Sequence, residues 1–113
     1  MKIAAAALAL ALSLGAVALT DRDKSALARF GARAHPVPHT KQDLVAELSE
    51  YAASAGLTDA MVWFTRRQYV TATAALGEHA RAISKDPLVQ HGAPLAGPFM
   101  MLNDCINELS TMV

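Results

Sequence analysis

The hydrophobic and polar positions divide the chain into an apolar N-terminal run and several shorter amphipathic segments. The uncharged run extends from Ile3 to Leu19, and charged residues return at Asp21. Beyond it, apolar residues recur every three or four positions, which is the spacing of one face of an α-helix. The pattern predicts an all-α protein. Residues 1–20 form an apolar helix that is either a membrane span or a signal, and residues 21–113 form a small bundle of three to four helices joined by Pro-rich loops.

Two segments of the domain begin with the same helix-start signature. Thr20 and Thr40 are each followed three residues later by an aspartate, a spacing typical of a capping box. The first box opens a short helix that we expect to weaken or end at Gly31. The second opens a helix over residues 41–55. The apolar stripe of this second helix consists of Leu44, Val45, Leu48, Tyr51, Ala52 and Ala55.

The next stretch, residues 58–83, fits one helix that starts with a cap at Thr58-Asp59. Its apolar stripe comprises Met61, Val62, Thr65, Tyr69, Ala72, Thr73, Leu76, Ala80 and Ile83. A strand pair over residues 61–73 is the alternative, because this stretch is rich in residues that prefer sheets. Arg66-Arg67 lies between the two runs and is a poor tight-turn sequence, so we favour the helix.

Prolines and glycines mark two connectors. His35-Pro36-Val37-Pro38-His39 favours an extended linker, because two prolines lie two residues apart. Residues 85–98 contain three prolines and two glycines, which are too many breakers for regular structure. We expect a final helix to start at Pro98, since proline suits the first turn of a helix.

The final helix is the part of the domain that we expect to meet a partner. Its packing seam alternates spacings of three and four residues. The seam consists of Phe99, Leu102, Ile106, Leu109 and Val113. Met101, Cys105 and Met112 widen it into a broad apolar face, which must be covered. The cover is either the helix 41–55 of the same chain or another subunit.

The apolar N-terminal run has two interpretations. As a secretory signal, it has a basic start at Lys2 and a small-x-small cleavage site at Ala16-Val17-Ala18. As a membrane anchor, its roughly 17 residues span about 25 Å, at the short end of what a bilayer core of about 30 Å accepts. Its alanines, Ser13 and Gly15 would let neighbouring helices approach such an anchor closely.

Composition and charge exclude several classes of protein. A chain of 113 residues has room for one small domain. Ten Lys and Arg residues balance ten Asp and Glu residues, and no basic cluster is longer than Arg66-Arg67, so nucleic acid is not an expected partner. Hydrophobic residues make up 53% of the chain against 18% charged residues, which argues against a disordered protein. Cys105 is the single cysteine and cannot form an intrachain disulfide.

Candidate chemistry is sparse. His35 and His39 have the spacing of a zinc-binding pair on a helix, but Pro38 opposes that helix. In an extended linker the two α-carbons would lie about 12 Å apart, too far for easy chelation of one metal. Cys105 lies beside the apolar seam, where a thiol is more often part of the core. We therefore expect no catalytic residue, no metal site and no cofactor.

Aromatic rings and cations lie close together in one segment. Trp63, Arg66, Arg67 and Tyr69 have the composition of a lipid-headgroup interface. The alternative is a pair of core aromatics beside a solvated basic pair. This segment is the candidate lipid-contacting surface of the domain.

Together these features favour a non-catalytic, single-span accessory or assembly subunit of a larger membrane complex. By extrapolation, its membrane is energy-transducing, such as the mitochondrial inner membrane, and its partners are the other subunits and the lipid bilayer. The alternative is an exported bacterial helical protein with a cleavable signal peptide, which binds a ligand or partner in the periplasm. The N-terminal residue of the native protein, Met1 or Leu19, separates the two interpretations.

Overall fold

A computed structural model describes residues 19–33 and 39–113, which form five α-helices and one short 3₁₀-helix. In chain order these are α1 (Asp21–Ala32), α2 (Lys41–Ala55), α3 (Thr58–Thr65), α4 (Tyr69–Ile83), the 3₁₀-helix (Pro87–Val89) and α5 (Ala96–Met112). The described residues contain no strand, so the all-α prediction is confirmed for them, with five helices where three to four were expected. The predicted apolar helix and most of the first Pro-rich linker lie outside the described residues.

Both predicted capping boxes are present. Asp23 N donates a hydrogen bond to the Thr20 hydroxyl at 3.0 Å, and Thr20 N donates to the Asp23 carboxylate at 3.2 Å. Thr40 and Asp43 repeat this arrangement at the start of α2. α2 covers the whole predicted range and ends at Gly56, whose φ of 71° lies in the left-handed region that favours glycine.

Gly31 lies where α1 and α5 cross closely. α1 runs through this glycine and ends one residue later at Ala32, near the predicted boundary. A β-carbon on Gly31 would come within 2.6 Å of Pro98 Cγ, well inside contact distance. A residue without a side chain is therefore needed for the two helices to approach each other, a role that the sequence did not indicate.

Residues 58–83 form two helices, α3 and α4, so the prediction of a single helix is wrong. The alternative strand pair over residues 61–73 is also wrong, because both halves of that stretch are helical. The cap expected at Thr58-Asp59 is absent: Leu57 occupies the cap position, and no side chain bonds to this helix end. The start of α3 lies beside the end of α4, since residues of both line one crevice.

The break between α3 and α4 is a helix end closed by backbone hydrogen bonds. Arg67 N donates to the Phe64 carbonyl at 3.0 Å, and Gln68 N donates to the Trp63 carbonyl at 2.8 Å. This pair of bonds is the Schellman pattern, which usually has glycine at the position that Arg67 occupies. Arg67 adopts the required left-handed conformation, with a φ of 58°. The break could not be predicted from the sequence, because arginine occupies the position where glycine is usual.

The break resets the helical phase and changes the buried face of α3. Met61 and Val62, which the single-helix stripe placed in the core, are 38% and 40% exposed, while Ala60 and Phe64 are buried. In α4 the predicted stripe is buried at Ala72, Thr73, Leu76, Ala80 and Ile83. The predicted stripe is therefore correct for α4, which follows the break, and wrong for α3, which precedes it.

The stretch between α4 and α5 has more regular structure than its prolines and glycines predicted. Leu88 N donates to the Asp86 carboxylate at 2.9 Å, which caps the 3₁₀-helix, and Val89 is buried. α5 starts at Ala96, two residues before the predicted start at Pro98. Pro98 is tolerated there because the first-turn N–H groups of a helix have no intrahelical partner.

α5 is the central helix of the bundle, because it packs against α1, α2 and α4. Its buried side chains are Ala96, Leu102, Cys105, Ile106 and Leu109. The largest fully buried side chains contributed by the other helices are Leu27, Leu44, Leu48, Tyr51, Leu76 and Ile83. The middle of the apolar face predicted for the final helix is thus covered by the chain itself, by α2 as expected and also by α1 and α4.

The bundle has two ends, which we name after Leu19 and Tyr69. At the Leu19 end, Leu19 N bonds to Asp86 and the Arg22 side chain donates to the Ser54 carbonyl at 3.1 Å. At the Tyr69 end, the start of α2 lies beside the turn between α3 and α4. α4 connects the two ends, and its 15 residues make it about 22 Å long.

Candidate functional site

The residues predicted as a lipid interface gather around the turn at the Tyr69 end. The Arg66 guanidinium carbon lies 5.9 Å from the centre of the Trp63 ring. Lys41 Nζ, contributed by α2, lies 5.2 Å from the centre of the Tyr69 ring. Both rings are half-buried and each carries a cation on its face, an arrangement that the ring quadrupole stabilises.

A groove with a volume of about 550 Å³ opens beside this turn. It is lined by Lys41, Gln42, Val45, Ala46, Arg67 and Tyr69. The lining contains two cations and no carboxylate. Sequence reasoning found Arg67 and Tyr69 but missed Lys41 and Gln42, because these belong to a separate helix and no local pattern connects them to the turn.

A second crevice, of about 510 Å³, lies between α3 and α4 at the Leu19 end. His79 lines it, and His79 Nε2 is 2.8 Å from the Tyr51 hydroxyl. The Phe30 ring meets the Tyr51 ring edge-on, with 5.8 Å between ring centres. The histidine therefore connects the core to the crevice, a pairing that the sequence did not indicate.

The electrostatics of the Tyr51–His79 pair favour two neutral side chains. Burial, and then the negative charge of Asp23, raise the pKa of Tyr51 far above its ordinary value. Burial lowers the pKa of His79, and Asp23 opposes that effect. The tyrosine keeps its proton at neutral pH, and its hydroxyl and His79 Nε2 share one hydrogen bond whose direction is set by the tautomer of the neutral imidazole.

We expect His79 to make the domain less stable on mild acidification. Its folded pKa lies below the ordinary value of 6.5, so the unfolded chain binds the proton more readily than the folded one. The free energy of unfolding should therefore fall as the pH is lowered through about 6.5. Thermal unfolding between about pH 5 and 8 measures this slope. His79→Gln should remove this pH dependence. His91→Gln, at an exposed site, is the control and should leave it in place. An unchanged slope in His79→Gln contradicts the prediction.

Two other candidate chemical groups, the Cys105 thiol and the His39 imidazole, take part in the packing of the bundle. Cys105 is buried, and burial with the nearby Glu47 and Glu108 raises its pKa to about 11, so the thiol keeps its proton at neutral pH. His39 Nδ1 lies 2.5 Å from the Glu108 carboxylate, which ties the start of α2 to α5. His35 lies outside the described residues. No group of three or more His, Cys, Asp or Glu side chains in residues 19–33 and 39–113 is arranged to hold a metal ion.

The predicted partner-packing residues of α5 lie at different depths. Those buried in the chain's own core are Leu102, Ile106 and Leu109. Phe99 is half-buried, and Val113 is 40% exposed. A partner that meets α5 would therefore contact the ends of this helix, where Met100 and Met112 are also exposed.

None of the helices within the described ranges is long and apolar enough to cross a bilayer. Of the predicted anchor or signal, residues 1–20, only Leu19 and Thr20 lie in those ranges. Comparison of the chain with protein-family models, curated proteins and solved structures gives no significant match.

Proposed function

We propose that this chain is an exported, non-catalytic helical protein that loses its N-terminal segment after Ala18 and binds a partner. The observation that carries the proposal is the position of Leu19, the residue that follows the small-x-small site. Its side chain is 6% exposed and belongs to the core of the domain. Its backbone nitrogen donates a hydrogen bond to Asp86 Oδ2 at 2.9 Å.

Cleavage after Ala18 would convert this backbone nitrogen into a charged ammonium group. The Asp86 carboxylate accepts hydrogen bonds from Leu19 N and Leu88 N, and these bonds lower its pKa, so it is negative at neutral pH. An ammonium at the same place would form a charge-assisted hydrogen bond with this carboxylate. The fold is thus compatible with a new N-terminus at Leu19 and offers it a group of opposite charge.

The position of Leu19 also weakens the anchor interpretation. A leucine in the core of the domain is not available to the hydrocarbon chains of a bilayer. The apolar run is then reduced to residues 3–18, about 16 residues and about 24 Å as a helix, just under the usual minimum of about 17 residues. The run also loses one of its five leucines, which supply most of the drive for insertion.

A binding role is supported by the way the reactive side chains are used. The Tyr51 hydroxyl and His79 bond to each other, His39 bonds to Glu108, and the Cys105 thiol is buried. The grooves between the helices are open to solvent, and polar, charged and apolar side chains line them together, which suits the binding of a partner.

The N-terminal residue of the chain produced in a Gram-negative bacterial host tests the proposal. We expect the periplasmic fraction to contain a protein that starts at Leu19, as read by N-terminal sequencing and intact mass. Ala18→Arg places a large charged side chain at the cleavage site and should leave the chain uncut. Ala28→Arg, on an exposed face of α1, is the matched control and should be processed normally. A full-length chain that resists carbonate extraction contradicts the proposal.

The second candidate is a single-span accessory or assembly subunit of a larger membrane complex. It is favoured by exposed apolar side chains on α5, where Met100 is 62% exposed and Met112 is 39% exposed. A neighbouring subunit would cover these side chains. By extrapolation, the membrane is energy-transducing, such as the mitochondrial inner membrane. A full-length chain that co-migrates with other membrane proteins on a native gel would establish this candidate in place of the first.

A further inference from the structure

The groove at the Tyr69 end presents positive charge that no residue in the described ranges neutralises. Neither Lys41 nor Arg67 forms an ion pair with any residue that the structure describes. The Lys41 ammonium is held over the Tyr69 ring, so it is positioned at the wall of the groove. Asp43, the acidic residue nearest to Lys41 in sequence, does not line the groove and is bonded within the capping box of α2. The electrostatic complement of this groove is an anion.

Arg67 occupies a position at which glycine would be more stable. Its φ of 58° lies in the left-handed region, which side chains with a β-carbon rarely adopt. The other described residues with positive φ are Gly56 and Gly92. The turn therefore carries an arginine charge at a conformational cost, and backbone outliers of this kind concentrate at functional sites.

The shape of the groove favours a peptide over a bilayer. Val45 and Ala46 of α2 form a hydrocarbon wall beside the two cations, and the space is large enough for side chains of an extended segment. A flat headgroup surface does not enter a concavity between α2 and a turn. Met61 and Val62, the exposed apolar residues of α3, line a separate shallow pocket with little polar surface.

We infer that this groove binds an acidic segment of a partner protein, with a carboxylate held between Lys41 and Arg67. Charge-assisted hydrogen bonds from the ammonium and the guanidinium would supply specificity for the carboxylate. The Gln42 amide adds a neutral hydrogen-bonding group, and the Val45 wall would contact the carbon atoms of the segment. The inference rests on the proposed partner-binding role and names its surface and the chemistry of its ligand.

Fluorescence anisotropy with the purified full chain tests the inference. The probe is a fluorescein-labelled peptide rich in glutamate, and the matched probe has glutamine in place of every glutamate. We expect the acidic probe alone to bind, with an affinity that falls as salt is added. Arg67→Gly should weaken binding about tenfold and raise the Tm by about 4–8 °C, because glycine removes the charge and relieves the left-handed backbone. If Arg67 had a purely structural role, Arg67→Gly would raise the Tm but would leave the affinity for the acidic probe unchanged.

Three further variants separate the groove from general electrostatics and from unfolding. Lys41→Gln should weaken binding about as much as Arg67→Gly, and Arg67→Asn should do the same with a residue that tolerates the left-handed region. Arg29→Gln removes one positive charge from an exposed face of α1 and should change the affinity less than about twofold.

Three results would overturn the inference. The first is equal affinity of Arg67→Gly and the unmodified chain for the acidic probe. The second is a loss in Arg29→Gln as large as the loss in Arg67→Gly. The third is binding to phosphatidylglycerol vesicles, abolished by Lys41→Gln and by both Arg67 variants, with no binding of the peptide. Because the assay does not depend on the N-terminal residue, failure of the export proposal and failure of this inference are distinguishable.

Discussion

Leu109→Ala is expected to lower the free energy of unfolding by about 2–5 kcal/mol, because it leaves a cavity in the core. The Leu109 side chain is fully buried. It lies on α5, which packs against α1, α2 and α4. Small domains have a total stability of about 5–15 kcal/mol, so this loss is a large fraction of it.

Urea unfolding followed by far-UV circular dichroism measures this effect. Met112→Ala is the matched control on the same helix, because Met112 is 39% exposed and should cost less than about 0.5 kcal/mol. A transition midpoint of Leu109→Ala equal to that of the unmodified chain would show that the core is not packed as described.

Gly31→Ala is expected to destabilise the domain by about 1–3 kcal/mol, which reverses the usual effect of this substitution inside a helix. Alanine in place of glycine normally stabilises a helix by about 0.5–1 kcal/mol. At Gly31 the new β-carbon would lie 2.6 Å from Pro98 Cγ, and the proline ring is too rigid to move aside alone. Overlap between α1 and α5 therefore outweighs the gain in helix propensity.

Gly77→Ala is the natural comparison, because it makes the same change within α4. A β-carbon on Gly77 would meet no atom within 4 Å outside the helix itself, so only the favourable propensity term remains. We expect the Tm of Gly77→Ala to rise and the Tm of Gly31→Ala to fall. If both variants shift in the same direction, the close crossing of α1 and α5 is not as described.

The features that the sequence predicted correctly depend on local chemistry. The two capping boxes each use a threonine and an aspartate three residues apart, so a short window contains the whole signal. The start and end of α2 are equally local, since Thr40 caps one end and Gly56 adopts a left-handed conformation at the other. The buried stripe of α4 follows from periodicity within a single helix.

The features that escaped prediction depend on conformation or on contacts distant in sequence. The end of α3 has arginine at the position where glycine is usual, so the break was not predicted and Met61, Val62 and Thr65 were assigned to the buried face although they are exposed. The groove requires Lys41 of α2 and Arg67 of the turn between α3 and α4 to line the same space. The Tyr51–His79 hydrogen bond joins residues of α2 and α4 for which no short motif exists. The buried position of Leu19 likewise could not be predicted, because it depends on a contact with Asp86, which is distant in sequence.

The central position of α5 has a consequence for how the chain is made. α5 follows the other four helices along the chain, so α1, α2 and α4 leave the ribosome before the helix against which they pack. Until α5 arrives, their apolar faces have no complete cover, and nascent chains in that condition are prone to aggregate or to recruit chaperones. Under the export proposal the same delay is favourable, because a domain that completes its core only after α5 is synthesised has no finished tertiary structure during most of its translation.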